Sequence, residues 1–305
     1  MKAGTKLERV LSSGRFAVTA EVGPPKGAGA TEVTRKVERL RDSVDALNVT
    51  DNQTAIVRMC SLAGCVLVKQ AGVDPVMQIV VRDRNRLAIQ ADVLGAVALG
   101  VGNILCLSGD HQTFGNHPQA KGVYDIDSLQ LITALRQMRD DHRFLCGEEV
   151  SGEVPIFIGA SANPFADPFE YRALRLAKKV KAGADFIQTQ GVFDVEKFKL
   201  WMAEVAARGL DRQTHILAGV IPVKSAGMAR YMRDYVSGVD VPNDVVKRME
   251  NAADGKAEGL SICLETIEQL KDIPEVHGIH IMAVGWEDIV PTIVERVGLL
   301  PREVT

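Results

Sequence analysis

The chain has 305 residues, of which 46% are hydrophobic and 25% are charged, and its formal net charge is -3. This composition is typical of a globular protein with a sizeable core, and it provides no basic surface for nucleic acid or for an anionic membrane. No apolar run is long enough to span a bilayer, and the first residues lack the apolar core of a signal peptide. We therefore expect a cytoplasmic protein with no nucleic-acid partner and no membrane partner.

Eight short apolar runs alternate with stretches of helical periodicity along the chain. The predicted strands are residues 16–22, 46–51, 75–81, 103–110, 154–161, 185–191, 215–222 and 278–284. The predicted helices between them are residues 31–43, 57–72, 85–100, 127–141, 168–183, 195–209 and 226–236. Two further helices are predicted within residues 241–273. This alternation predicts an α/β fold, a (β/α)8 TIM barrel with extra helices before the eighth strand, as a single domain over residues 1–305.

Several of these strands end in polar side chains, and TIM barrels carry their active sites at those ends. Asp110 closes one of them, in the sequence Ser-Gly-Asp, which is also an ordinary turn composition. The polar stretch of residues 109–125 is long for a loop inside a compact domain. A loop of this length is usually either functional or disordered.

Glu21 ends the first strand and is followed by Pro24 and Pro25, which restrict the loop. A carboxyl group at the mouth of an apolar barrel suits a general acid, and it equally suits an ion pair with a nearby Lys or Arg. Glu21 and Asp110 also fit the paired carboxylates of a glycosidase, but few tryptophans are available to stack a sugar. The residues alone leave these interpretations open.

The five cysteines are widely scattered, and no group of them has metal-ligand spacing. Cys60 and Cys65 are the nearest pair, and their gap differs from the two-residue gap of zinc and iron–sulfur motifs. We predict free thiols, with no metal and no cluster held by this chain.

Five motifs occur in an order that resembles the methylenetetrahydrofolate reductase family, from about residue 16 to residue 299. They are Glu-Val-Gly-Pro-Pro-Lys (21–26), Asn-Val-Thr (48–50), Leu-Ser-Gly-Asp (107–110), Lys-Ala-Gly-Ala-Asp-Phe-Ile-Gln-Thr-Gln-Gly-Val-Phe-Asp (181–194) and Ala-Gly-Val-Ile-Pro-Val (218–223). The resemblance implies a flavin-dependent barrel that reduces 5,10-methylenetetrahydrofolate to 5-methyltetrahydrofolate. The flavin carries the redox chemistry, and the protein positions and polarises the reacting groups.

The same resemblance implies roles for individual residues. Glu21 is expected to protonate the folate, Thr50 to relay that proton, and Gln190 to bind the pterin. Asp110 is expected near both the pterin and the flavin, where its charge lowers the flavin potential. The implied flavin contacts are Thr50, Gln78, Ser108, Gly109, Asp110, Tyr124, Asp167, Arg175 and Lys179. Of these, Lys179 is the expected phosphate partner.

The chain departs from the family pattern at four positions of the implied flavin region. Ser108 stands where Arg is common, Gln78 and Asp167 replace imidazoles, and Asn163 replaces a tyrosine. FMN is therefore an alternative to FAD as the cofactor.

The segment after strand seven, residues 224–227, offers no aromatic ring for a nicotinamide. We therefore expect reduction of the flavin by an iron–sulfur companion subunit, as in the anaerobic, acetogen-type branch. Two other functions remain open: a pterin-binding methyltransferase barrel without flavin, and a flavin-carrying electron-relay subunit.

Overall fold

Eight parallel strands close into a barrel in the computed structural model, which describes residues 1–236 and 238–302. The strands are β1 (Ala17–Val22), β2 (Ala46–Val49), β3 (Pro75–Val80), β4 (Asn103–Leu107), β5 (Phe157–Ala162), β6 (Phe186–Gly191), β7 (His215–Val220) and β8 (Gly278–Ile281). Each strand pairs with the next along the chain, and β8 pairs with β1 to close the sheet. This topology confirms the predicted (β/α)8 barrel.

Helices surround the barrel and connect successive strands. Those among the described residues are α1 (Lys6–Ser12), α2 (Ala30–Leu40), α3 (Ser61–Gln70), α4 (Arg86–Ala98), α5 (Ser128–Arg136), α6 (Arg172–Ala182), α7 (Val195–Ala207), α8 (Ala226–Tyr235), α9 (Asn243–Asn251), α10 (Gly255–Lys271) and α11 (Val290–Arg296). Helices α9 and α10 are the extra helices predicted before the eighth strand. None of the helices in residues 1–236 and 238–302 has the length and apolar character needed to cross a membrane.

The prediction differs from the structure mainly at element ends. Strand β4 stops at Leu107, three residues before the predicted end, because Gly109 takes a backbone φ of +84° and turns the chain away. Strand β5 starts later and α3 starts later than predicted. Helices α1 and α11 were not predicted, since each has only seven residues and shows little periodicity.

Inward-facing residues alternate along each strand and so form layers inside the barrel. On β1 they are Ala17, Thr19 and Glu21, from the amino-terminal end upward. Ala17 belongs to an apolar base layer, and Thr19 to a buried polar layer. Glu21, at the top, lines a cavity. Within this one strand, the two lower inward-facing residues therefore belong to the stable interior of the barrel, and the uppermost one faces the cavity.

Helix α1 covers the amino-terminal end of the barrel. Its side chains Leu7, Val10 and Leu11 are at most 2% exposed and pack on the apolar base layer. That layer consists of Ala17, Ala46, Val76, Leu105, Phe157, Phe186 and Leu217. The barrel interior is thus closed at its base and open only at the carboxyl ends of the strands.

Two histidines lie at the same end, His215 at the start of β7 and His277 just before β8. Their rings meet edge to face with centroids 5.2 Å apart. Burial, followed by the proximity of His277, lowers the pKa of His215 to about 4, and burial also lowers the pKa of His277. The His277 Nδ1 atom accepts a hydrogen bond from the Ile216 N–H, which fixes that ring.

We predict that acid destabilises the fold through this pair. Between the ordinary histidine pKa of 6.5 and about 4 the unfolded chain binds more protons than the folded chain, so stability falls as pH falls. One such group contributes a slope of about 1 kcal/mol per pH unit. Urea unfolding at pH 7, 6 and 5 should show a smaller loss of stability in His215→Phe than in the wild type.

The exposed His117 provides the control, because His117→Gln should leave the pH dependence of unfolding unchanged. Equal slopes for the wild type and His215→Phe would contradict the prediction.

Candidate active site

A cavity of about 430 Å³ opens at the carboxyl ends of the strands. Most of the predicted site residues lie in its wall, although they are far apart in the sequence. Those in the wall are Glu21, Gln78, Ser108, Gly109, Asp110, Arg175, Lys179 and Gln190. The closed barrel brings them together because all parallel strands end on the same side.

Three predicted site residues lie outside this wall. Thr50 is 1% exposed, and its hydroxyl has no hydrogen-bond partner among the described residues. Tyr124 is 42% exposed on the loop between β4 and α5, and its backbone N–H donates to the Val81 carbonyl. Asp167 is exposed, and its carbonyl accepts a hydrogen bond from Arg172.

The Glu21 carboxyl group is held from one side. The Gln78 side-chain N–H donates to its Oε1 atom at 3.2 Å, and the His280 Nε2 atom faces the same oxygen at 3.5 Å. The side chain is 16% exposed, and its Oε2 atom has no hydrogen bond within the described part of the chain. One carboxyl oxygen is therefore fixed by the protein, while the group as a whole lines the cavity.

The polar layer beneath Glu21 orients His280. The side-chain amides of Asn48 and Gln188 bond to each other reciprocally, at 2.7 and 3.0 Å. The Gln188 Nε2 atom also lies 3.2 Å from the His280 Nδ1 atom, and the Thr19 hydroxyl lies 2.9 Å from it. A hydrogen bond donated by the Gln188 amide would make Nδ1 the acceptor, and in that tautomer the ring N–H lies at Nε2, toward Glu21.

The loop after Glu21 is anchored from a neighbouring loop. The carbonyl of Pro24 accepts a hydrogen bond from the Arg58 guanidinium at 3.0 Å, and the carbonyl of Pro25 accepts one from the Met59 N–H at 2.9 Å. Both donors belong to residues 50–60, which we call the β2–α3 loop. The backbone next to Glu21 is therefore restricted by proline and also tied to the β2–α3 loop.

Asp110 enters the cavity from residues 108–127, the β4–α5 loop. Its carboxylate accepts a hydrogen bond from the backbone N–H of Thr54 at 3.0 Å. The turn beside it requires Gly109. Its φ is positive, and a Cβ at this position would lie 3.0 Å from the Val80 side chain, closer than most Cβ contacts. The Asp110 carboxylate thus lies where two loops meet at the cavity.

The wall formed by α6 carries two cationic side chains that form no salt bridge among the described residues. Arg175 and Lys179 lie one turn apart on α6, and no carboxylate of the described residues is within 4.0 Å of either. The Lys179 ammonium donates to the Ser161 carbonyl. Burial, followed by the charge of Arg175, lowers the pKa of Lys179 to about 8. An anionic group bound here would stabilise the charged form of Lys179 against both its burial and the charge of Arg175.

Several residues of the site were missed from the sequence. His280 and Gln188 face the interior by the same alternation that places Glu21 there, so the period of two could have identified them. Arg82 also lines the cavity and lies two residues after the end of β3, but nothing in the sequence distinguishes it from a surface arginine.

The wall of the cavity contains no Phe, Tyr or Trp side chain among residues 1–236 and 238–302. In the same part of the chain no group of three or more His, Cys, Asp or Glu side chains is arranged to hold a metal ion. The donors that are present are amides, hydroxyls, carboxylates and cationic groups.

The fold and the cavity define a barrel with a polar ligand site at the carboxyl ends of its strands. The sequence profile of the family described as methylenetetrahydrofolate reductase matches residues 6–298, nearly the whole chain. The chain therefore belongs to the methylenetetrahydrofolate reductase family, which confirms the resemblance seen in its motifs.

Individual relatives agree with this assignment. Methylenetetrahydrofolate reductase 2 of Schizosaccharomyces pombe is 29% identical over 67% of this chain and 32% of its own length. A probable methylenetetrahydrofolate reductase (NADPH) of Caenorhabditis elegans is 22% identical over 98% of this chain and 44% of its own length. The chain therefore spans about a third to a half of the length of these curated relatives.

A solved structure shares the fold. A protein from Clostridium thermocellum, described as binding two copies of 5-methyl-5,6,7,8-tetrahydrofolic acid, superposes with a TM-score of 0.66. It is 13% identical and covers 96% of this chain, and 99% of that protein is covered in return. At this identity the likeness concerns the barrel architecture alone.

We predict that the cationic wall binds a divalent anion in a pH-dependent way. Sulfate keeps a constant charge over the range of interest, whereas Lys179 loses its proton as pH rises through about 8. The upward shift in Tm caused by sulfate should therefore shrink between pH 7 and pH 9.5. Lys179→Met should remove most of the shift already at pH 7.

Lys181→Met is the matched control, since Lys181 lies on the same helix but is exposed and outside the cavity wall. It should keep the wild-type response to sulfate. If Lys179→Met also keeps it, the wall does not act as an anion site.

Proposed function

We propose that this chain reduces 5,10-methylenetetrahydrofolate to 5-methyltetrahydrofolate with a bound flavin. The observation that carries the proposal is the environment of Glu21, a carboxyl group in the cavity wall with one oxygen faced by N–H groups of Gln78 and His280. This reaction adds one hydride and one proton to the folate. The proton needs a donor held in place, and Glu21 fits that need.

The cavity residues fit a flavin. Arg175 and Lys179 offer unpaired positive charge for its phosphate, and Gln78, Ser108 and Gly109 offer amide, hydroxyl and backbone groups nearby. We retain Tyr124 and Asp167 as proposed contacts for the part of FAD that would extend beyond the cavity. FMN would need only the cavity itself, so release of the cofactor and its mass would distinguish the two.

A reduced flavin, when bound, would supply the hydride to the methylene carbon. The residues of this chain would supply the proton and the orientation. Because two N–H groups face Oε1 of Glu21, its acidic proton is best placed on Oε2, from which it can pass to a nitrogen of the five-membered folate ring. Protonation there breaks the carbon–nitrogen bond and leaves an iminium carbon that can accept the hydride.

Other side chains have supporting roles in this proposal. The buried Thr50 hydroxyl, which lacks a partner among the described residues, is suited to relay a proton to the Glu21 side of the site. Gln190 lines the cavity and would bind the pterin. Asp110 would lie near the pterin and the flavin, where a negative charge disfavours the anionic reduced cofactor.

We further propose that an iron–sulfur partner protein reduces the flavin. The support is the lack of a Phe, Tyr or Trp side chain in the described cavity wall, together with the segment after β7, where Lys224 bonds to the Gly285 carbonyl. Within the described cavity wall a nicotinamide would have no Phe, Tyr or Trp ring to stack on. The five free cysteines fit the reducing cytoplasm, which we propose as the location.

We predict that Glu21→Gln lowers folate reduction by about 10²-fold or more, the range expected for loss of a general acid. Reduction of the bound flavin by dithionite should remain normal, because that step does not involve proton transfer from Glu21 to the folate. Steady-state turnover and flavin absorbance measure the two steps separately.

Glu32→Gln, at an exposed position of α2, is the control and should behave as the wild type in both assays. Loss of flavin binding in Glu21→Gln would make Glu21 a structural residue. Turnover within tenfold of the wild type would require a different acid.

We also predict that neither NADH nor NADPH bleaches the flavin of the isolated chain at a rate that supports turnover. Stopped-flow absorbance of the flavin-loaded protein provides the measurement, with reduced ferredoxin as the positive control. Rapid bleaching by either nucleotide would refute the need for a protein donor.

The colour of the protein separates the alternative functions. A colourless protein that binds methyltetrahydrofolate would favour a methyltransferase, and a yellow protein that is unresponsive to folate would favour an electron relay.

A further inference from the structure

Arg82 lies two residues after the end of β3 and is 2% exposed, yet its guanidinium connects three loops. The Nη1 atom donates to the Asp110 carbonyl at 2.8 Å, and the Nη2 atom donates to the Asn52 carbonyl at 3.2 Å. The Nε and Nη2 atoms also form a two-pronged pair with the Asp83 carboxylate, each at 2.7 Å. A buried arginine thus joins the loops that follow β2, β3 and β4.

These bonds reach Asp110 by two routes. The first is the direct bond to its carbonyl oxygen. The second passes through the β2–α3 loop, in which the N–H of Thr54 holds the Asp110 carboxylate. Thr54 lies only two residues after Asn52, whose carbonyl Arg82 also holds. Arg82 therefore fixes both the backbone of Asp110 and the group that directs its side chain.

The β2–α3 loop needs such anchoring because its backbone is strained. Asn52, Thr54 and Ala55 have φ values of 44°, 56° and 54°, in the left-handed region that non-glycine residues seldom adopt. Such conformations persist only when surrounding contacts impose them. Gly115 packs so closely that a Cβ there would lie 1.8 Å from the Ala55 carbonyl oxygen, so the two loops are in direct backbone contact.

Charge balance lets Arg82 hold Asp110 without neutralising its carboxylate. The hydrogen bonds that Arg82 donates to the Asp83 carboxylate raise the pKa of Arg82, so the guanidinium stays charged, and its charge is matched by that of Asp83. Its contact with Asp110 is to the carbonyl oxygen rather than the carboxylate. The Asp110 carboxylate is thus left to accept the hydrogen bond from the Thr54 N–H at the cavity wall.

We propose that Arg82 is the positioning residue for Asp110, which it places in the site through the Asp110 carbonyl and the Asn52–Thr54 backbone. Only an arginine has a fork of donors that can satisfy a carboxylate and two carbonyls at once. The inference rests on the proposed function, because it assigns Asp110 its place beside the folate and the flavin.

A double-mutant cycle tests the inference, with the dissociation constant of 5-methyltetrahydrofolate for the flavin-loaded chain as readout. The wild type is measured first, and a wild type that binds neither flavin nor folate refutes the proposed function itself. Given binding, Asp110→Asn and Arg82→Gln should each weaken it by about tenfold or more. The double variant should bind 5-methyltetrahydrofolate at most about threefold more weakly than either single variant.

The neighbouring Arg84 gives a matched control, because it pairs with Asp51 and Asp92 and, among the described residues, bonds neither to Asp110 nor to the Asn52–Thr54 backbone. Arg84→Gln should lower Tm as Arg82→Gln does, but any effect on folate affinity should multiply with that of Asp110→Asn. If Arg82→Gln does not fold, Arg82→Lys replaces it in the same cycle. Independent, multiplicative effects of Arg82 and Asp110, or an Asp110→Asn variant with unchanged affinity, would overturn the inference.

Discussion

The reciprocal amide pair between Asn48 and Gln188 is the interaction on which the site depends most. It crosses the barrel interior, where a polar group without a partner costs about 1–3 kcal/mol. The pair satisfies both amides, and the remaining Gln188 N–H reaches toward Thr19 and His280. A buried polar layer of this kind is stable only when its members are satisfied together, so the orientation of the His280 ring is part of the fold.

A second constraint acts from the loops. The carboxyl ends of the strands converge, but side chains on long loops need further contacts to hold a fixed direction. The β2–α3 and β4–α5 loops gain those contacts from each other and from Arg82, at the cost of left-handed backbone in the former. Glu21 is thus fixed from below through the barrel interior, whereas Asp110 is fixed from the side through a buried guanidinium. Glu21 and Asp110 therefore have different means of support.

The sequence predicted the barrel because its signals are local and repeated. Each strand is a short apolar run, each helix has its own periodicity, and eight repetitions leave little choice of topology. The strand-end residues Glu21, Gln78, Asp110 and Gln190 could be found in the same way, since parallel strands place their ends together. The neighbouring Gln188 shows the limit, because it was passed over although it faces the interior by the same alternation.

Other features required three-dimensional information. The role of Arg82 depends on two carbonyl groups that lie 28 and 30 residues away in the sequence, and carbonyl groups leave no trace in a side-chain pattern. The burial of Thr50 away from the cavity wall also depends on packing rather than on its position after β2. Helices α1 and α11 are too short for periodicity to reveal them, although α1 closes the whole base of the barrel.

That closure has a consequence for the order of events. Because α1 covers the base with apolar side chains, everything that reaches the interior must use the same mouth, at the carboxyl ends of the strands. Under the proposed function the folate and a soluble hydride donor would then compete for one entrance and would have to take turns. A donor that passes electrons from outside the entrance would not compete with the folate. The closed base of the barrel therefore bears on which kind of reductant the chain can use.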